Sequence, residues 1–146
     1  MKLDDRQMED RPLVHLMRMP IRWGDMDMMG HVNNAMYFTY LETARIDWFT
    51  SIGCSPNPAG EGPVLINAAC TFIRQLEYPG DIEVRTFIGD FGRTSFETFH
   101  QIRRVDQPDV VCAEGSAKVV WVDFVAGKST PLSEELKARF AAPMKA

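Results

Sequence analysis

Apolar and polar positions repeat with one period near the start of the chain and with another through its second half. The change separates one helix from a run of strands. Residues 14–23 read as a strand, with Val14, Leu16 and Ile21 apolar, and Pro20 marks an edge or a kink because proline has no N–H to give to a ladder. Residues 33–52 follow a helical period instead. Tyr37, Leu41, Ala44 and Trp48 form one apolar row, and Phe38, Ile46, Phe49 and Ile52 form another. A helix apolar over so much of its circumference is buried by neighbours on several sides. Asn33 or Asn34 can cap its start, since a short amide side chain accepts from the free N–H groups of the first turn. Glu42 and Arg45 are expected to pair on the remaining polar strip, and Gly53 to end the helix in the left-handed conformation.

Residues 53–63 hold three prolines and three glycines and read as a loop. Residues 63–74 are apolar and lead to Tyr78-Pro79-Gly80-Asp81, which suits a type II turn with glycine third. Residues 82–88 alternate, with Ile82, Val84, Thr86 and Ile88 on one face, and 89–93 form a hairpin connection. Residues 94–104 alternate again, with Phe96 and Ile102 on one side and Phe99 on the other. A turn over 106–109 contains Pro108, and 110–124 is a long run rich in β-formers, Val119 to Val122 among them. Four long strands with short connections predict an antiparallel meander. Residues 131–140 suit a short terminal helix. The predicted class is therefore α+β, in the order β-α-β-β-β-β, with a five-stranded antiparallel sheet curled around the one helix. Nothing else in the chain can cover that helix. A flexible arm over 1–12 and a single domain over 13–141 complete the division.

Composition narrows the function. The 146 residues allow one domain, and 45% apolar with 25% charged residues is ordinary for a soluble globular protein. No run approaches the roughly 18 apolar residues of a membrane span, and residues 1–11 lack the apolar core of a signal peptide, so the expected compartment is the cytoplasm. A net charge of −4 argues against nucleic acid but leaves room for a small anionic ligand. The three cysteines, Cys54, Cys70 and Cys112, are odd in number and scattered, which fits free thiols and no structural zinc site. No Gly-x-Ser-x-Gly elbow, phosphate loop or Gly-x-Gly-x-x-Gly is present, which removes the serine-hydrolase and nucleotide readings.

Chemistry concentrates in residues 23–34, between the first strand and the buried helix. Asp25, Asp27 and His31 fall within seven residues of one another, immediately before a helix N-terminus. Unpaired N–H groups and the positive end of the helix dipole attract anions there and can stabilise a developing oxyanion. Three readings of the acids stand side by side: caps and dipole partners, metal ligands together with His31, or an ionised nucleophile or general base. Met26, Met28, Met29 and Met36 cluster nearby and suit either an acyl pocket or core filling.

The stretch IRWGDMDMMGHVNNAMYFTYLETARIDWF, residues 21–49, resembles the 4-hydroxybenzoyl-CoA thioesterase family of hotdog-fold acyl-CoA thioesterases. The likeness rests on Gly24-Asp25-Met26-Asp27, Gly30, Asn34 with Tyr37, and Glu42 with Arg45. Gly80-Asp81 and Gly92-Arg93-Thr94-Ser95-Phe96 extend it. It covers nearly all of residues 13–140. In place of an Asp-Pro-Ala-Gly turn the chain has Asp27-Met28-Met29-Gly30, a departure that bears on acyl preference more than on reaction. The resemblance implies a helix wrapped by an antiparallel sheet and hydrolysis of an acyl-CoA thioester to a carboxylic acid and coenzyme A. It implies Asp27 as catalytic carboxylate, Asp25 as support, and the main-chain N–H of Asn34 as oxyanion donor. His31, Asn33 and Tyr37 would line the mouth, and Arg93 would meet the phosphates of coenzyme A. No metal or other cofactor is implied. Edge-to-edge association into a homodimer, or a homotetramer of dimers, is. A non-catalytic acyl-thioester binding protein and a hotdog dehydratase or hydratase remain as alternatives. A thioester suits so spare a site, because its leaving thiol has a pKa of roughly 8.5 by analogy with cysteine and departs without obligatory protonation.

Overall fold

The computed structural model describes residue 8 and residues 10–144. The chain runs β1 (Leu13–Pro20), a 3₁₀ turn (Trp23–Asp25), α1 (Asn34–Ser51), β2 (Glu61–Phe72), β3 (Asp81–Phe91), β4 (Ser95–Arg104), β5 (Gln107–Asp123), β6 (Lys128–Ser129) and α2 (Glu134–Ala141). The strands form one antiparallel sheet in the order β1-β3-β4-β5-β2, with β6 on β5. This α+β arrangement is consistent with a hotdog fold. The expected sheet gains a sixth strand. At two residues β6 is too short to carry a period, and it forms because Asp123 Oδ1 accepts from the N–H groups of Val125 and Ala126 and turns the chain back. Residues 1–7 and 9 of the expected arm lie outside the described residues. Met8 is buried against Phe87 and Phe99 on the sheet's outer face.

Local physics accounts for the helix. Asn33 is its N-cap and accepts from Ala35 N–H at 3.0 Å. At the other end Cys54 N–H reaches Phe49 O at 2.8 Å and Gly53 N–H reaches Thr50 O, with Gly53 at φ 71°, which is a Schellman closure. The first half of α1 packs Tyr37, Tyr40, Leu41 and Ala44 against Ile82, Val84, Ile102 and Ala113 of the sheet. The second half packs Trp48 and Phe49 with Phe96, Val119, Trp121 and the α2 residue Phe140. The helix can lie close only because β5 offers Gly115, where a Cβ would stand 2.7 Å from Leu41 Cδ1. Among the described residues no helix is long and apolar enough to cross a membrane.

Three expectations change. Arg45 is not on a polar strip: it is 6% exposed and turned into the sheet side of α1, with no ion pair to the exposed Glu42 among the described residues. Gly80 has φ 151°, outside the range of a type II turn, and Tyr78–Pro79 is cis. The β4–β5 turn is only Val105-Asp106, because Arg104 already pairs with Gln107, and Pro108 falls at a register shift where no ladder N–H is needed.

Arg45 lies near a fully buried histidine. His100 bonds Thr86 Oγ1 through Nδ1 at 3.0 Å and Thr98 Oγ1 through Nε2 at 3.2 Å. Burial first, and the Arg45 charge second, push its pKa down to about 3. An unfolded chain protonates histidine near pH ~6.5. Between those values the unfolded state binds a proton that the folded state does not, so stability is complete above the window and is lost as pH falls through it. Urea unfolding between pH 7 and 4.5 should therefore lose stability less steeply in His100→Gln than in the wild type. Equal slopes would count against the buried neutral ring.

Candidate active site

The loop from Gly24 to Asn33 is held by its two aspartates in different ways. Asp25, 3% exposed, accepts from Tyr40 Oη at 2.7 Å and from Arg22 N–H at 3.0 Å, and its own carbonyl takes Asn33 N–H at 2.9 Å. It bolts the loop to the flank of α1. Burial first, and then the Asp25 carboxylate, raise the Tyr40 pKa and keep the phenol a proton donor in that bond. Asp27 closes a tight turn instead. Its Oδ1 accepts from Met29 N–H at 2.9 Å, its carbonyl takes Gly30 N–H at 3.1 Å, and its N–H reaches His31 O at 2.8 Å. Gly30 supplies the φ of 79° that the turn demands. Oδ1 is thus committed, while Oδ2 makes no hydrogen bond among the described residues.

Asn34 opens α1 one position beyond the cap. Ala35 N–H is taken by the Asn33 side chain and Met36 N–H by Asn33 O. Asn34 N–H has no acceptor among the described residues, at the positive end of the helix. Asp27, His31, Asn34, Tyr37, Phe72 and Arg74 line one hollow of about 590 Å³. Tyr37 is a wall: its hydroxyl accepts from Leu76 N–H at 3.3 Å and its ring meets Phe72 edge-on at 4.9 Å. Burial raises its pKa.

Asp27, His31, Asn34 and Tyr37 therefore come together around one space. Asn33 adjoins it as the helix cap. Arg93 does not join them in this chain. It lies in the β3–β4 hairpin, where its carbonyl accepts from Leu132 N–H, a full strand length from the Gly80-Asp81 end of β3 that adjoins the loop. Parity carries the reason: β3 begins at the site end, so its hairpin to β4 falls at the opposite one. The residues that motif reading missed come from the last position of β2, Phe72, and from the β2–β3 connection, namely Ile73, Arg74, Gln75 and Glu77. The apolar end of β2 was visible in the sequence. Its position beside the helix start was not.

A sequence profile of the Thioesterase-like superfamily matches residues 21–140. Among solved structures, the PA2801 protein of Pseudomonas aeruginosa, a candidate thioesterase, is 37% identical with a TM-score of 0.81, covering 86% of this chain and 97% of its own. A candidate acyl-CoA thioesterase of Xanthomonas campestris is 31% identical with a TM-score of 0.73, covering 82% of this chain and 99% of its own. The uncharacterised protein YsmA of Bacillus subtilis is 24% identical over 120 residues, which are 82% of this chain and 80% of that protein.

Proposed function

The chain belongs to the thioesterase-like superfamily of thioester hydrolases, and from that premise we propose that it cleaves an acyl-CoA thioester to a carboxylic acid and coenzyme A at Asp27. The observation that carries this reading is the pairing of two uncommitted groups at one hollow: Asp27 Oδ2 and the Asn34 N–H. Asp27 Oδ2 either takes the proton of an attacking water or attacks the carbonyl carbon to form a mixed anhydride that water then opens. In both courses the carbonyl oxygen gains charge and Asn34 N–H receives it. The C–S bond breaks and the electron pair leaves on sulfur. Coenzyme A enters as part of the substrate, and the reaction as proposed needs no metal or further cofactor. The test is free-thiol release from short, medium, long and aromatic acyl-CoA esters. Release that rises with enzyme concentration supports the reading, and no release from any ester by folded protein overturns it.

The working unit is proposed to be a homodimer joined along β2, alone or paired into a tetramer. That strand is a sheet edge, and Val64, Leu65 and Ile66 lie exposed on it, Ile66 at 57%. Phe38 and Ile46 of α1 are exposed as well. An unpaired edge carrying an apolar row is covered in a soluble protein. A second copy along β2 would also reach Phe72, at the wall of the hollow. Ile66→Lys should shift the sedimenting species from dimer or tetramer to monomer. A wild type that sediments as a monomer at micromolar concentration removes the proposal.

A further inference from the structure

Among the described residues, His31 has its only ion pair with a residue of a different segment. His31 Nε2 stands 3.1 Å from Glu77 Oε1. Glu77 lies on the β2–β3 connection, which is unusually well anchored for a loop. Its neighbour Leu76 accepts from Val32 N–H at 2.8 Å and donates its own N–H to Tyr37 Oη. Glu77 O accepts from Arg104 Nη1 at 2.8 Å and Pro79 O from Arg104 Nη2 at 2.9 Å. Asp106 in turn holds the guanidinium at 2.9 Å and 3.2 Å. The backbone that carries Glu77 is thus fixed to the catalytic loop, to α1 and to the β4–β5 turn. Its carboxylate is 62% exposed, and a pair so wet contributes little to stability. So much anchoring serves orientation better than it serves stability.

We infer that Glu77 is a positioning residue for the proposed hydrolysis, acting through His31; the inference rests on the reading of the site given above. A carboxylate 3.1 Å from Nε2 favours the tautomer with its hydrogen on that nitrogen and, in the neutral ring, leaves Nδ1 as an acceptor. His31 lines the hollow with Asp27. Asp27 Oδ2 and His31 Nδ1 are then two acceptors for the two hydrogens of one water, whose lone pair is left to face the carbonyl carbon. On attack, one proton passes to Asp27 Oδ2, the other hydrogen stays on the oxygen that becomes part of the acid, and the C–S electron pair leaves on sulfur. In the covalent course Oδ2 holds the acyl group, so His31 Nδ1 alone guides the water that opens the anhydride. The acyl C–Oδ2 bond breaks, its electron pair returns to Asp27, and one water proton passes to the departing carboxylate. Without Glu77 the ring can turn or take the other tautomer, and the water loses that guide.

The experiment compares Glu77→Ala, Glu77→Gln, His31→Ala and the His31→Ala/Glu77→Ala double variant in thiol release. Beside it, ¹⁵N NMR reads the His31 ring tautomer in the free protein. Glu77→Ala should lower kcat roughly ten- to hundredfold with KM within about twofold. Glu77→Gln, whose amide oxygen still accepts, should recover most of the loss. In the His31→Ala background Glu77→Ala should change nothing further. The wild-type ring should hold its hydrogen on Nε2, and Glu77→Ala should mix the tautomers. An unchanged kcat in Glu77→Ala, an equal further loss in the His31→Ala background, or a tautomer indifferent to residue 77 overturns the assignment. A wild type that releases no thiol overturns the hydrolase reading instead, and the tautomer measurement then decides on Glu77 alone.

Discussion

Asp27→Asn is expected to lower kcat for the best acyl-CoA ester by about 10³-fold or more while leaving KM and thermal stability nearly unchanged. The asparagine keeps an Oδ1 to accept Met29 N–H, so the turn that aims the side chain survives. What changes is the second atom. An uncommitted carboxylate oxygen becomes an amide nitrogen, which neither takes a proton nor attacks a carbonyl. General-base catalysis alone contributes about 10²–10⁴-fold, and a nucleophilic role would make the loss larger. Asn34→Pro tests the other half of the site with little disturbance. Proline is tolerated at the first helical position, where its missing N–H would have had no helical partner. The preceding Asn33, at φ −59° and ψ 136°, already has the extended conformation that a following proline requires. Loss of that one donor should cost about 10²–10³-fold in kcat. Steady-state thiol release, read beside melting curves, checks both variants. Full activity in Asp27→Asn would move the chemistry elsewhere on the loop.

Trp48→Ala should be the most destabilising single truncation of the core. The indole is 0% exposed and sits between two helices and the sheet, with ring centroids 5.2 Å from Phe49, 5.6 Å from Phe140 and 6.2 Å from Phe96. Removing it takes away the area that docks α2 onto α1 and leaves a cavity that rigid strands cannot fill. Such truncations cost about 3–5 kcal/mol. For a chain of this length that is a fall in Tm of roughly 10 °C, provided both proteins are compared at one concentration. Trp48→Phe separates packing from hydrogen bonding. Trp48 Nε1 has no hydrogen-bond partner among the described residues, so phenylalanine gives up no bond and should cost less than alanine, its loss coming only from the smaller ring. Thiol release well below the new Tm should stay near the wild-type rate, because this aromatic cluster packs around the end of α1 remote from Asp27. A Tm shift of only a degree or two in Trp48→Ala would mean that the far end of the fold repacks freely.

Much of this was legible in the order of the residues because it depends on neighbours in the chain. The Asn33 cap, the Gly53 closure, the alternation from Ile82 to Ile88 and the Asp-x-Asp turn before α1 are events within one or two helical turns or one strand. Backbone sterics and a period of 3.6 or 2 decide such events before any long-range contact forms. Arg45 shows the limit. Its charge and its spacing from Glu42 assigned it to a wet strip, but the curvature of the sheet encloses that flank of α1 as well. Arg93 shows it again. Its motif matched, yet antiparallel strands send successive hairpins to opposite ends, and this one lies a strand length from Asp27. The sequence by itself determined one long buried helix with an antiparallel sheet and the acidic loop at the helix N-terminus. Only the tertiary structure decided what stands opposite that loop. The sheet order brings the end of β2 and the anchored connection carrying Glu77 to His31, because strand order and register depend on the closure of the whole sheet around α1 and on no local signal.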